Sequence, residues 1–147
     1  MIRHRWSIAC ARAVVDRYTN SLSLEHIIER INIQGPLPTE NAIPIELDIM
    51  TLWATDEPGD SEIAQSRLTI VAPDGEELGS NEAQVDLTKH VRLRNRVHLS
   101  GLPFSGCGQY VFRVDLLRGD TWETVGNIYI DIVQIDPVEQ EESQEQA

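Results

Sequence analysis

Aromatic residues, lysine and cysteine are all scarce in this chain. Aromatics make up 5% of its 147 residues, and Lys89 is the sole lysine among 12 basic residues. Two cysteines, Cys10 and Cys107, are too few for a disulfide framework and too far apart for a zinc knuckle. No uninterrupted apolar run approaches the ~18 residues that cross a bilayer as a helix. Basic charge is short as well: 12 bases face 24 acids, a formal net charge of -12. That balance argues against general affinity for nucleic acid or an anionic membrane surface, so neither is an expected partner. Near the start, Arg12 cuts off the apolar stretch from Trp6 to Ala11 before it reaches the ~7–15 residues of a secretory signal. The expected compartment is therefore the cytoplasm.

What is present suffices for one core. The chain is 41% hydrophobic, well above the range of disordered sequences, and its length suits a single domain. Residues 1–135 read as one β-sandwich domain. Residues 136–147, from Asp136 through Val138, Glu139, Glu141, Glu142 and Glu145, read as an acidic disordered tail.

Period-two alternation is the main signal within the domain. Residues 6–15 form an expected first strand, buried on both faces, and Cys10 within it reads as a small core residue. Asp16 to Asn20 is a polar turn, and Ser21 to Leu24 returns. Residues 24–33 are ambiguous. Leu24, Ile27, Ile28 and Ile31 fit helical spacing, but the β-branched isoleucines favour an irregular strand. Further strands are expected at Ile43–Trp53 and Ile63–Val71, joined by a hairpin loop at Asp56 to Asp60. The Asp74-Gly75 turn follows. From Val85 to Leu99 the odd positions are apolar except Lys89 and Asn95, and that interruption indicates two strands or one bent strand. Gln109 to Leu117 and Trp122 to Val133 alternate cleanly and close the sheet. Seven or eight short strands without any βαβ alternation indicate an all-β, antiparallel sandwich.

One stretch refines that class. Leu102-Pro103-Phe104-Ser105-Gly106-Cys107-Gly108-Gln109-Tyr110-Val111-Phe112 is a turn ending in Gly-x-Tyr-x-hydrophobic. It resembles the entry to the penultimate strand of immunoglobulin-like and fibronectin-like sandwiches, where a tyrosine packs in the core and bonds the preceding loop through its hydroxyl. Phe112 stands where an antibody domain has cysteine, so the resemblance implies no intersheet disulfide. The succession Cys10, Asp16, Asn20 to Leu24, Ile27 to Ile31, Pro36 to Pro38, Pro73-Asp74-Gly75 and Leu102 to Tyr110 is also similar to small bacterial β-sandwich proteins without an assigned activity. That resemblance implies a bacterial cytoplasmic protein and brings no functional residues with it.

Candidate chemistry is sparse. The chain has no Gly-x-Ser-x-Gly elbow, phosphate loop, dinucleotide fingerprint or His-Glu-x-x-His helix. The expectation is a non-catalytic protein with no catalytic residues, metal or cofactor. His4, His26, His90 and His98 are scattered, and each reads as a surface or capped side chain. Acidic loops at Asp56, Glu57, Asp60 and Glu62, and at Asp74, Glu76 and Glu77, could offer oxygens to calcium, but neither follows an EF-hand register.

The strongest surface feature is basic. Arg92, Arg94 and Arg96 recur at every second position and would share one face of a strand, flanked by His90 and His98. Guanidinium forks suit carboxylates and are favoured in interface hot spots. Cross-strand pairing with Glu46, Asp48 or Asp86, or a charged edge that discourages aggregation, explains the same residues structurally. Trp53 and Trp122 stand near strand ends, where stacking could bind a sugar or core packing could hold them. The sequence thus points to an interaction module that binds a protein partner, or itself, through a sheet edge or the arginine face. A small-ligand or carbohydrate binder using Trp53 and Trp122 is the alternative.

Overall fold

A computed structural model of the chain describes residues 1–38, 42–57 and 62–135. Nine strands run in order: β1 Arg3–Val15, β2 Leu22–Ile27, β3 Arg30–Gln34, β4 Ala42–Ala54, β5 Ile63–Val71, β6 Glu77–Asp86, β7 Arg92–Pro103, β8 Gly108–Arg118 and β9 Thr121–Ile135. They form a four-stranded sheet, β2-β1-β4-β7, and a five-stranded sheet, β3-β9-β8-β5-β6. Every pairing is antiparallel except that of β3 with β9, which is parallel. Among the described residues no helix is long and apolar enough to cross a membrane.

Alternation sets the core. Leu47, Ile49 and Trp53 of β4 face Tyr110, Phe112, Val114 and Leu116 of β8 and Ile128, Ile130 and Ile132 of β9, and all are buried. Each such side chain removed from water contributes about 1.5–3 kcal/mol. Tyr110 is wholly buried, and its hydroxyl accepts from Ser105 N at 2.7 Å and donates to the Gly106 carbonyl at 2.7 Å. That is the geometry expected of the Gly108-Gln109-Tyr110 turn.

Nine strands replace the expected seven or eight, for two reasons. The ambiguous 24–33 stretch is neither a helix nor one strand. His26 takes φ 55°, a left-handed conformation that breaks the extended run, and the chain then leaves β1 and crosses to pair with β9. The second reason is β6, which lacks an apolar rhythm because it is an exposed sheet edge rich in polar residues. Val85 belongs to β6 and Val97 and Leu99 to β7, so the 85–99 stretch is two strands rather than one bent one. The tail at 136–147 and the tip of the Asp56 to Asp60 loop lie outside the described residues.

The outer face of the four-stranded sheet is not simply solvated. Cys10, Ala13 and Met50 are buried there, with Trp6, Leu22 and Leu24 packed against them. They form a second apolar cluster because the β1–β2 hairpin curls over the sheet. Its turn is built by Asp16, whose carboxylate accepts from Tyr18 N at 2.8 Å and Thr19 N at 3.0 Å, so those amides hold its carboxyl below the usual range. Asn20 takes φ 59°, which asparagine tolerates better than most residues.

Candidate functional site

β7 is an edge of the four-stranded sheet, and its even-numbered residues stand on the outer face. The three arginines share that face, as the alternation requires, but the structure gives them three different roles. Arg96 Nε lies 3.2 Å from Asp48 Oδ1, a buried carboxylate. Arg94 donates to the Asn20 carbonyl at 2.9 Å and so ties β7 to the β1–β2 turn across the sheet. Arg92 sits opposite Ala54 and has no ion-pair or hydrogen-bond partner among the described residues. Of the acids that could pair across strands, Asp48 is the one that meets an arginine of the triplet.

Asp48 is the hub of this face. Its Oδ2 accepts from the Ala13 backbone N–H at 2.9 Å, and its Oδ1 meets His98 Nδ1 at 2.7 Å as well as Arg96. Burial pushes this carboxyl up, but the Ala13 amide, His98 and Arg96 together outweigh burial and hold it below the usual carboxylate range. The hub therefore links β1, β4 and β7 through one ionised side chain. Strand register alone brings Asp48 to His98, fifty positions later, so nothing local in the sequence marks the pair.

A carboxylate on a histidine ring nitrogen is half of a nucleophilic catalytic set. The other half is missing among the described residues. Cys10 is the register partner of Asp48, but burial and the adjacent carboxylate raise its thiol pKa and keep it protonated. A histidine–hydroxyl pair does occur elsewhere, with His4 Nε2 2.7 Å from Ser7 Oγ. Ser7 Oγ is also engaged by Thr51 Oγ1 at 2.8 Å, and burial lowers the His4 pKa. His4 is wedged between the Trp53 ring edge and Gly126, where any Cβ would lie 2.6 Å from the imidazole. That is the environment of a packed structural histidine.

Beside the hub the curled sheet leaves an open groove of about 820 Å³. Its floor is Trp6, Leu22, Leu24 and Leu52, and Arg92 and Arg94 form one wall with Asn20 and Ser21 near them. Sequence reasoning passed over the floor. Trp6 reads as part of a short apolar run and Leu22 and Leu24 as ordinary strand residues, and only the curl of the hairpin sets them facing Arg92 and Arg94.

The tryptophans fall apart. Trp53 is 1% exposed in the core, so it offers no stacking face to a sugar at the rim. Trp122 is half-buried on β9, with the Arg67 guanidinium 4.2 Å from its ring centre. Arg67 and Arg113 both bond the buried Asp115, at 3.1 and 3.3 Å, and Thr124 donates to it at 2.8 Å. The acidic loops are likewise engaged in part. Asp56 pairs with Arg3, Glu62 accepts from Ile2 N, and Glu77 pairs with Arg113. Among the described residues no three histidine, cysteine or carboxylate side chains converge as a metal site, and Asp60 lies outside them. Both cysteines are free, Cys10 buried and Cys107 exposed.

No protein-family model matches the chain, and no curated protein matches it.

Proposed function

We propose that this chain is a non-catalytic, cytoplasmic interaction module of immunoglobulin-like type that binds an acidic, partly apolar segment of a protein partner. The observation that carries this reading is the groove on the four-stranded sheet, where apolar side chains of Trp6, Leu22, Leu24 and Leu52 lie beside Arg92 and Arg94. Apolar floor and guanidinium wall together suit a strand-like peptide with leucine-type side chains on one side and carboxylates on the other. In a protein of net charge -12, an exposed Arg92 and a half-buried Arg94 at one groove favour an acidic partner against the overall field. The immunoglobulin-like part of the reading is supported by the Tyr110 corner. The division of β4 and β7 from β5, β8 and β9 into separate sheets also supports it.

A labelled peptide of alternating glutamate and leucine tests the reading by fluorescence polarisation. Saturable binding is expected that weakens as salt is raised and is lost in Arg92→Glu/Arg94→Glu. A lysine–leucine peptide that binds equally well, or a double variant that binds like the wild type, would refute it. Arg96 is left intact in that variant because its partner is the buried Asp48, so reversing it would disturb the sheet itself.

A further inference from the structure

A second, separate site lies between the sheets. β6 and β7 are edges of different sheets that face one another across the open side of the sandwich. Between them runs a crevice of about 260 Å³, walled by Leu68, Ile70, Val97 and Leu99, with Gly79 and Asn81 on the β6 side. It shares Leu68, Asn81 and Val97 with an inner cavity of about 20 Å³ that Trp53, Thr51 and Asn95 also line. Trp53 Nε1 is the buried side-chain polar atom that has no hydrogen-bond partner among the described residues. An indole N–H can only donate, and burying it without an acceptor is unfavourable. The inner cavity is therefore lined by a residue whose N–H is a donor in search of an acceptor, and the walls of the adjoining crevice are mainly apolar.

Gly79 is the second observation. It sits opposite the core residue Ile70 on the edge strand β6, where it is exposed and lines the crevice mouth. A Cβ built there meets nothing within 4 Å, and the backbone conformation does not require glycine. Glycine inside a strand marks a bulge, such as the register shift beside Gly79, or a place where a ligand or another backbone approaches closely.

We propose that the β6–β7 crevice binds a slender apolar molecule carrying one hydrogen-bond acceptor, such as a ketone or ester carbonyl, which takes the Trp53 N–H at its inner end. A volume of about 260 Å³ is room for roughly nine water-sized atoms at ~30 Å³ each, which sets a chain of medium length. The site is distinct from the arginine groove and stands or falls without it.

Octan-2-one and nonane, a hydrocarbon with the same number of heavy atoms, are the probes. In ¹H–¹⁵N spectra of the full chain, the Trp53 indole signal, assigned by its loss in Trp53→Phe, is expected to move downfield saturably with octan-2-one and not with nonane. Gly79→Leu, whose Cβ would meet nothing within 4 Å, places a side chain at the crevice mouth and is expected to abolish the shift, and a cooperative melt establishes that this variant is folded. If it does not fold, competition supplies the same information: a branched ketone too wide for the crevice should fail to shift the signal. No saturable shift with octan-2-one overturns the proposal and leaves a single water as the sufficient acceptor for Trp53. Equal shifts with nonane overturn the acceptor chemistry. A shift that survives in folded Gly79→Leu, or one that the wide ketone reproduces, overturns the location.

Discussion

The two outer faces of the sandwich use the same device and close it differently. Each buries one aspartate at the middle of its sheet, Asp115 on β8 and Asp48 on β4, at 2% and 1% exposure. Asp115 is answered by two arginines and a threonine hydroxyl. Trp122 lies against one of those arginines, and Glu77 meets the other. Every cation of that cluster is consumed internally. Asp48 is answered by one arginine, one histidine and a backbone amide, while Arg92 and Arg94 beside it face a groove. The difference teaches that a row of arginines is not a site by itself. What matters is whether the neighbouring strands of the sheet supply enough carboxylates to absorb the row, and on the four-stranded sheet they supply too few.

The largest expected effect tests the closed cluster. Asp115→Asn leaves Arg67 and Arg113 half-buried and without their shared carboxylate, and breaking such a buried pair costs about 3–5 kcal/mol. Chemical denaturation should show it, and a loss below that of Asp48→Asn would break the comparison.

Asp48→Asn should cost less, about 1–3 kcal/mol, because Arg96 and His98 are 55% and 43% exposed and can return to water. It carries a pH signature as well. The folded-state carboxyl lies below its unfolded value of about 3.9, so its stabilisation is complete above that value. The stabilisation is lost as pH falls from there through the folded value. Wild type should therefore lose stability over that acid window by more than Asp48→Asn does. Denaturation midpoints collected across the window decide it, and parallel curves would remove the hub role.

Arg92→Glu sharpens the comparison from the other side. With no partner to lose among the described residues, it should change stability by no more than about 0.5 kcal/mol while abolishing peptide binding in the groove. A larger destabilisation would mean that Arg92 belongs to the framework, as Arg96 does.

Much of the framework was legible in the chain. Strands with a dry face, such as β4, β8 and β9, announce themselves because alternate positions must be apolar to fill the core. The tyrosine turn was legible because its glycine and tyrosine stand two positions apart and act locally. β6 was not, since an edge strand obtains its pairing from the backbone of β5 and places no demand on its outward side chains. Among the candidate residues, the shared face of Arg92, Arg94 and Arg96 followed from parity. Their separation into a groove residue, a turn clamp and a buried ion pair did not.

The sequence by itself determined that the chain is acidic, all-β and built from alternating strands, because composition and period two act within a few residues of themselves. Only the tertiary structure decided which strands are edges, that the β1–β2 hairpin curls towards β7, that Asp48 meets His98 and that Trp53 ends inside beside a cavity. Those outcomes depend on register and sheet curvature between segments far apart in the chain. Contacts of that kind are set by the packing of whole sheets, not by any local pattern.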